Sequence, residues 1–408
     1  MMMRGMRTQY VLAYAALGSL GPFLPVYLSR QEGLTDAQIG VVLGVGGLAV
    51  LLTPVLLTRF ADLGVQTRNL LAGSFLISVG ALLGLSISKG FLLAVALYLL
   101  HSLAEKPVNA LQDGLFFRAR ALAGAPQTPF HRVRVWGTVG FIVPSLLLYD
   151  LVHRTGSTSV VLGLSVAFAG LAAVNTRRLP PAEARIDDLA ATGGEPAGPD
   201  PGAVPDTRDR ATRAALRALA SRDIRTFVIA MFLVNVASAA WFGFYPLYLT
   251  NAVGIDERSV GLVFNVGVVL EIGWMLAFGW MIRRIGLRRL MMAGGIAEAL
   301  RLGLLAIYPS LAVAVGTQAL HGLIVVISSV APQVFLDSRA EERFRSSIQG
   351  VYTTTVVGGG RLLGSVLAGQ LAAFGFGTLF GVAAGFAIAA VLLFSTMSTT
   401  AALPSRRQ

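Results

Sequence analysis

The sequence predicts an all-helical polytopic membrane protein, with twelve transmembrane helices in two pseudo-symmetric six-helix bundles. Three observations carry this prediction. The 408-residue chain is 55% hydrophobic and only 13% charged, whereas soluble proteins carry about 25% charged residues. Twelve apolar stretches are long enough to cross a bilayer as helices, which takes about 20 residues each. In addition, a segment of the first half of the chain recurs in the second half, which indicates two copies of one unit.

The predicted spans lie six on each side of a polar segment. They cover 9–29, 38–58, 69–88, 91–117, 133–152, 157–175, 226–250, 259–282, 288–308, 310–334, 346–372 and 375–396. The polar segment begins rich in Pro, Gly, Ala and charge, which is typical of a flexible linker. Its end, from about Thr207 to Ala220, spaces Arg among Ala and Leu and suggests a helix on the membrane surface. We therefore expect bundles at 1–176 and 225–408, joined by a linker at 177–224.

The basic residues indicate how the chain crosses the membrane. If both termini and the linker share one side, that side holds 26 of the 33 Lys and Arg residues and the other side holds four. Positive residues concentrate on the cytoplasmic side of membrane proteins. The sequence therefore predicts a multi-pass protein of a bacterial inner membrane with both termini in the cytoplasm. This asymmetry explains most of the net charge of +12, and no nucleic-acid partner is needed.

The internal repeat supports the division into halves. The segment "LPVYLSRQEGLTDAQIGVV" (24–42) aligns without gaps to "YPLYLTNAVGIDERSVGLV" (245–263). Identical residues at equivalent positions include Pro25 and Pro246, Tyr27 and Tyr248, Leu28 and Leu249, Gly33 and Gly254, and Gly40 and Gly261. Each half has an even number of predicted spans, so both copies enter the membrane in the same direction. This is the pattern of parallel repeats, related by an axis along the membrane normal.

Composition and motifs also exclude some chemistry. The chain contains no cysteine, which excludes disulfides, zinc–cysteine sites and thiol catalysis. No group of His and Glu residues has metal-ligand spacing, and "GGGR" lacks the Lys-Ser/Thr of a phosphate-binding loop. We therefore expect no metal, no cofactor and no enzymatic activity.

Two loops carry a resemblance to a known family. Both lie after the second span of a half: "TRFADLGVQTR" (58–68) and "GWMIRRIGLRR" (279–289). They resemble the G-x-x-x-D-R-x-G-R-R loop of the major facilitator superfamily, and the resemblance extends over nearly the whole chain. It implies a gating role for the residues that match the loop or replace its acid, namely Asp62, Gly64, Arg68, Gly279, Arg283 and Gly286.

Longer segments resemble one branch of that superfamily. "FHRVRVWGTVGFIV" (130–143), "VGVVLEIGWMLAFGWMIRRIG" (266–286) and "QALHG" (318–322) are similar to the lactose permease-like and phenylpropionate and nucleoside permease-like proton symporters. In that branch a Glu of span eight, an Arg of span nine and a His of span ten join substrate binding to proton transfer. The resemblance assigns these proton-coupling roles to Glu271, Arg301 and His321. Span four lacks the branch's usual sugar-binding pattern.

Polar residues inside the spans point to a substrate site. A charged side chain at the centre of a membrane helix costs about 2.5–3.5 kcal/mol even on insertion scales, so such groups must be paired or reached by water. In span four, Lys106, Asn109 and Asp113 follow one helical stripe and Glu105 lies beside it, with Pro107 expected to break or kink the helix. We expect this face to line a cavity. A static ion pair is the alternative, and Asp113 fits the cavity and the cytoplasmic end equally well.

The remaining candidates have alternatives of their own. An acid at mid-membrane suits a proton carrier, but Glu271 fits a structural salt bridge to Arg301 as well. Arg301 has Glu298 one turn before it, and His321 also fits a hydrogen bond within a core. Four further polar residues of the second half are expected to contact substrate: Asn235, Asn265, Gln349 and Arg361.

Together these features predict a secondary active transporter of a small organic solute. The favoured mechanism is proton-coupled symport by alternating access, in a monomer whose partners are the substrate, protons and membrane lipids. A proton-coupled exporter of drugs or metabolites, a membrane-embedded enzyme and a non-transporting sensor remain as alternatives.

Overall fold

The computed structural model describes residues 2–62, 65–87, 89–122, 130–181, 222–339 and 345–397. Within these ranges, the first half of the chain forms eight α-helices. They are α1 (Met2–Leu20), α2 (Leu24–Arg30), α3 (Asp36–Asp62), α4 (Thr67–Ile87), α5 (Phe91–Glu105), α6 (Val108–Leu122), α7 (His131–Thr155) and α8 (Val160–Asn175). Pairs of these helices, α1 with α2 and α5 with α6, each make one predicted span with an interruption.

The described residues of the second half form nine α-helices, two of which are continued by π-helical turns. The α-helices are α9 (Arg222–Asn251), α10 (Val260–Ile285), α11 (Leu287–Ile307), α12 (Leu311–Gly316), α13 (His321–Val325), α14 (Ala331–Arg339), α15 (Arg345–Tyr352), α16 (Gly359–Ala372) and α17 (Phe376–Thr396). A 3-10 turn at Thr317–Leu320 joins α12 to α13, and π-helical turns join α13 to α14 and α15 to α16.

The helices match the predicted membrane crossings. Within the described residues, eleven helical stretches are long and apolar enough to cross a bilayer. The predicted eleventh span is also helical from Arg345 to Ala372, but its threonines, glycines and Arg361 make it less apolar than the others. Large apolar side chains such as Leu276 and Trp280 are exposed, as lipid-facing side chains are. The chain therefore has twelve helical crossings.

Contacts divide the described residues into two compact units. The first takes those within Met1–Gly198 together with Pro246–Asn265, and the second takes those within Pro199–Tyr245 and Val266–Gln408. The first unit has an apolar core around Tyr10, Leu115 and Phe116. The second has its own core around Phe227, Leu290 and Phe335. Helices α9 and α10 each contribute to both units.

The two copies of the repeat end their first span with the same turn. Gly33 has φ +65° and Gly254 has φ +78°, in the left-handed region that glycine adopts most easily. After each glycine the chain closes a six-residue hydrogen bond, from Leu34 N to Leu28 O at 3.1 Å and from Ile255 N to Leu249 O at 3.0 Å. This is the pattern of a Schellman cap, which satisfies carbonyl groups at a helix end. The residues that are identical in the two copies of the repeat therefore form the same turn in both.

The predicted outer loops meet at one end of the first unit. Arg30, in the first copy of the repeat, pairs through Nε with Glu257 Oε1 at 2.7 Å and donates through Nη2 to Asn251 Oδ1 at 3.1 Å. Asn251 is the residue equivalent to Arg30 in the second copy. In a neighbouring contact Arg258 Nη1 lies 2.8 Å from His153 Nδ1. In the orientation predicted from the basic residues, all of these residues would lie on the non-cytoplasmic side.

Replacing either turn glycine by alanine is expected to destabilise the protein. A Cβ atom strains the left-handed backbone by about 1–2 kcal/mol, although the space around both glycines is open. We expect Gly33→Ala and Gly254→Ala each to lower the thermal unfolding midpoint in detergent. Gly73→Ala, in open space within α4, is the matched control and should leave the midpoint unchanged or raise it slightly. Equal midpoints for all three variants would show that the turns carry no conformational constraint.

Candidate functional site

A buried polar cluster occupies the second unit. Four helices supply it: α9, α10, α11 and α13. We call it the Arg301 cluster, and its members are Ser238, Trp241, Glu271, Glu298, Arg301 and His321. Helix α11 places Glu298 and Arg301 on one face, since residues three apart in a helix are neighbours.

Arg301 and Glu298 form an ion pair that is shielded from solvent. Arg301 Nη2 lies 2.5 Å from Glu298 Oε2, and the two side chains are 1% and 0% exposed. The second carboxylate oxygen of Glu298 accepts a hydrogen bond from Ser238 Oγ at 3.0 Å. The contact between Arg301 and Glu298 joins two charged groups, and such hydrogen bonds are among the strongest in proteins. The local partner that the sequence offered for Arg301 is therefore the one that the structure uses.

Arg301 is held on two further sides. Its guanidinium carbon lies 4.1 Å from the centre of the Trp241 ring, a distance suited to a cation–π interaction. Its Nη1 lies 3.2 Å from His321 Nδ1. The His321 ring also packs against Trp241 at 4.9 Å between ring centres. The guanidinium is thus fixed by an acid, an aromatic face and an imidazole at once.

Glu271 stands at the more open end of the cluster. Its Oε2 lies 3.8 Å from His321 Nε2, and its side chain is 21% exposed against 3% for His321. His321 therefore lies between Arg301 and Glu271, with one ring nitrogen directed to each. The structure brings together all three residues that the resemblance assigns to proton coupling, in the order Arg301, His321, Glu271.

The helix that carries His321 is irregular on both sides of it. The 3-10 turn at Thr317–Leu320 comes before His321, and the π-helical turn at Val326–Val330 follows its short α-helix. Such segments within a helix are frequent at hinges and functional sites. Trp274 of α10 donates from Nε1 to Ala319 O at 2.9 Å, which ties α10 to this part of the chain.

Gln318 belongs to the same region and was missed by the sequence reasoning. Its side chain is 1% exposed, and neither amide atom has a hydrogen-bond partner among the described residues. It packs so closely on α10 that a Cβ atom at Gly267 would lie 2.4 Å from its Oε1. The only signal in the sequence was its place in "QALHG", three residues before His321.

The polar residues of span four lie in the first unit, around a break in the helix. Helix α5 ends at Glu105 and α6 begins at Val108, so Pro107 interrupts the span as expected. Lys106 Nζ pairs with Glu105 Oε2 at 2.7 Å, and both side chains are partly exposed. Asn109 accepts a hydrogen bond from Gln112 at 3.2 Å.

Asp113 is half-buried and contacts α1. The hydroxyl group of Tyr10, a fully buried residue of α1, donates to Asp113 Oδ1. A cavity of about 30 Å³ lies among α1, α4, α5, α6 and α8, and Ser78, Glu105 and Asn109 contribute to its lining. This is enough space for a water molecule, so Glu105 and Asn109 of the polar face border a small cavity.

The other predicted substrate residues are more dispersed. Asn235 is buried and donates to Met231 O at 2.8 Å, one turn earlier in α9. Asn265 donates to Ile142 O at 3.2 Å in the first unit. Gln349 is half-buried in α15 and Arg361 is exposed in α16.

The predicted gating residues occupy loops and helix ends. Asp62 is the last residue of α3, with a side chain outside the described set, and Gly64 lies outside the described residues. Arg68 donates from Nε to Gln66 Oε1 at 3.0 Å. In the second copy Gly286 has φ +79° and precedes α11 directly. This left-handed backbone favours glycine, which explains the residue at this position.

The remaining two residues of the second loop lie near the end of α10. Gly279 lies within α10, and Arg283 is exposed in its last turn. Within the part of the chain that the structure describes, no group of three or more His, Asp or Glu side chains is placed to hold a metal ion.

Breaking the buried ion pair on one side is expected to be costly. Arg301→Met leaves the Glu298 carboxylate without its cation, and removal of one partner of a buried pair costs about 3–5 kcal/mol. The double variant Glu298→Met/Arg301→Met removes both charges and should recover most of this loss. Thermal unfolding in detergent measures both variants. If the double variant is no more stable than Arg301→Met, the loss of stability does not come from an unpaired Glu298 charge.

The packing of α10 on α13 leads to a second prediction. A Cβ atom at Gly322 would lie 2.5 Å from Glu271 Cα and 2.6 Å from Trp274 Cδ1, and a backbone atom cannot rotate away. Gly322→Ala should therefore separate the helices and lower the unfolding midpoint, since overpacking costs about 1–3 kcal/mol. Gly316→Ala, with open space around it, is the control. The prediction fails if both variants unfold at the same temperature.

Comparisons with known proteins agree with this architecture. A family model described as "MFS_1 like family" matches residues 3–393. The chain is 26% identical over 368 residues to the maltose permease of Geobacillus stearothermophilus, covering 89% of this chain and 86% of that protein. It is 23% identical to the xanthosine permease of Escherichia coli, covering 94% of this chain and 92% of that protein.

A solved structure has the same fold. The nucleoside transporter NupG superimposes with a TM-score of 0.82 at 18% identity, covering 97% of this chain and 98% of that chain. The twelve-span helical fold class is confirmed, and the similarity points to transporter families rather than to enzymes. With its many membrane-spanning helices, the chain is a multi-pass secondary transporter of small molecules. It belongs to the MFS_1-like family of the major facilitator superfamily.

Proposed function

We propose that the protein is a proton-coupled symporter of a small organic solute. It lies in a bacterial inner membrane with both termini in the cytoplasm. In this proposal the bundles at 1–176 and 225–408, joined by the linker at 177–224, expose a central site to each side of the membrane in turn. The observation that carries the proposal is the row of ionisable side chains Glu298, Arg301, His321 and Glu271 inside a membrane-spanning unit.

The energetics of burial favour a functional role for this row. Each charge within a membrane span costs about 2.5–3.5 kcal/mol, and a purely structural contact between these helices could be apolar. Glu298 and Arg301 neutralise each other, but Glu271 faces an imidazole over 3.8 Å. An acid in that position can exist with or without a proton. We assign the transported proton to Glu271, with His321 and Arg301 controlling its release.

The substrate contacts are assigned to both halves. Glu105, Lys106, Asn109 and Asp113 in span four provide charges and amides around the break at Pro107. Asn235, Asn265, Gln349 and Arg361 are their proposed counterparts in the second half. The maltose and xanthosine permeases to which the chain is similar carry hydroxylated solutes by name. We therefore place sugars and nucleosides first among the compounds to test, followed by aromatic acids and common drugs.

Proton movement in proteoliposomes tests this function directly. Purified protein is reconstituted around a trapped pH indicator, and each compound of the panel is added outside. Symport predicts that one class of compound triggers acidification of the lumen, because solute and proton enter together. A proton-coupled exporter, the second candidate, predicts movement of the proton opposite to the compound. If no compound moves protons through folded protein, proton coupling is wrong for this panel.

Glu271→Gln then tests the assignment of the proton. The amide keeps the size of the side chain but cannot release a proton, so accumulation driven by a pH gradient should be lost. Exchange of labelled for unlabelled compound should persist, because it needs no net proton transfer. Asp150→Asn is the matched control, since Asp150 is an exposed acid paired with Arg154, and it should keep both activities. Accumulation that survives in Glu271→Gln would remove Glu271 from the coupling role.

A further inference from the structure

The Arg301 cluster determines which nitrogen of His321 carries a proton. A guanidinium group is always charged in proteins and offers only donors. Its Nη1 lies 3.2 Å from His321 Nδ1, so this nitrogen must be the acceptor. A neutral imidazole has one acceptor and one N–H group. The proton of His321 is therefore on Nε2, the nitrogen that lies 3.8 Å from Glu271.

The doubly protonated form of His321 does not fit this arrangement. It would place an N–H group on Nδ1 against the N–H groups of Arg301, and two positive charges would lie close together in a buried site. Repulsion between like charges is strong where water is excluded. His321 is thus neutral as long as Arg301 keeps its position, and it presents a single N–H donor to Glu271.

The position of Arg301 depends in turn on Glu298. The carboxylate of Glu298 is fully buried and pairs with Arg301 Nη2 at 2.5 Å. Ser238 and Trp241 complete the arrangement, one on the second oxygen of Glu298 and the other on the face of the guanidinium. Without the negative charge, the guanidinium would turn towards the other acid of the cluster, Glu271. Glu298, the acid at the buried end of the cluster, therefore controls the orientation of Arg301 and, through it, of His321.

We propose that Glu298 is a positioning residue for proton coupling: by anchoring Arg301 it holds His321 in the tautomer whose Nε2–H faces Glu271. The tautomer is assigned from the contacts of His321 alone. Its role in coupling rests on the proposed function, in which Glu271 carries the proton. In that role a fixed N–H donor favours the charged form of Glu271 after the proton has left, and it gives the acid one defined partner.

Nitrogen NMR of the imidazole rings tests the proposal. The two ring nitrogens of a neutral histidine have well-separated signals according to which one bears hydrogen. Full-length protein labelled with ¹⁵N-histidine is placed in lipid nanodiscs at neutral pH, and the signals of His321 are identified as those lost in His321→Gln. We expect one protonated Nε2 and one unprotonated Nδ1. Signals of the opposite tautomer, or of a doubly protonated ring, would overturn the proposal.

The variants separate anchoring from folding. Glu298→Gln should replace the single tautomer by a mixture, and Glu298→Asp, which keeps the charge, should restore a majority of the Nε2–H form. Asp150→Asn, an exposed acid outside the cluster, is the control and should leave the tautomer unchanged. If Glu298→Gln does not fold, Glu298→Gln/Arg301→Gln replaces the pair by two neutral amides and should also give a mixture. A single Nε2–H tautomer in these Gln variants would show that Glu298 does not hold it.

Transport measurements then distinguish the inference from the function on which it rests. Glu298→Gln should lower accumulation driven by a pH gradient relative to exchange, whereas Asp150→Asn, outside the cluster, should change neither. If Glu271→Gln still accumulates substrate, the proposed coupling fails, yet the NMR signals of His321 still decide the tautomer. If coupling fails only in the Glu271 variant and Glu298→Gln behaves as wild type, Glu298 has no positioning role in coupling.

Discussion

The absence of water in the bilayer is the constraint on which this structure depends. Within lipid, a backbone group or a charge must find its partner in the protein itself. The helices satisfy the backbone, and the few charged side chains inside the spans are satisfied in clusters. Glu298 and Arg301 pair out of reach of solvent, and Asp113 receives the hydroxyl group of a buried tyrosine. The partners of these groups also connect helices: Ser238 and Trp241 of α9 contact the ion pair on α11, and Tyr10 of α1 contacts Asp113 of α6.

The absence of water also determines how the charged side chains of the second unit are arranged. A pair of opposite charges can be entirely static, and the Glu298–Arg301 contact has the burial and the distance of such a pair. The addition of His321 and Glu271 changes the situation, because a carboxyl group can gain or lose a proton and His321 stands between it and Arg301. In the proposed function, the rigid ion pair provides a fixed charge environment for this acid. Preorganised charge of this kind is the usual way in which proteins control proton transfer.

Much of the fold could be predicted from the sequence, because the patterns that encode it are local and repeated. Apolar length indicated the spans, and the repeated segment indicated two equivalent halves, in which Gly33 and Gly254 form the same left-handed turn. Pro107 marked the break in span four because proline removes a helix hydrogen bond. These inferences need only one segment of chain at a time.

The site was less predictable, because its geometry depends on how helices rotate against one another. The sequence offered Arg301 two acids, and only the packing of α11 on α9 shows that Ser238 supports Glu298 as the buried partner. The position of His321 between Arg301 and Glu271 requires three helices to be placed at once. Gln318 gave no signal of its own, since a buried amide looks like any polar residue of a span until its neighbours are known.

The contact between Arg30 and Asn251 has a consequence for how a repeated protein evolves. The two residues are equivalent in the two copies and touch each other, which is the contact expected of residues next to an axis that relates two copies. In an assembly of two identical chains, the residue at such a place meets itself, and an arginine there would face a second arginine. A duplicated and fused chain is free of that restriction. Replacement on one side alone converts a repulsion between like charges into a hydrogen bond, so loss of symmetry at the axis is itself a gain in stability.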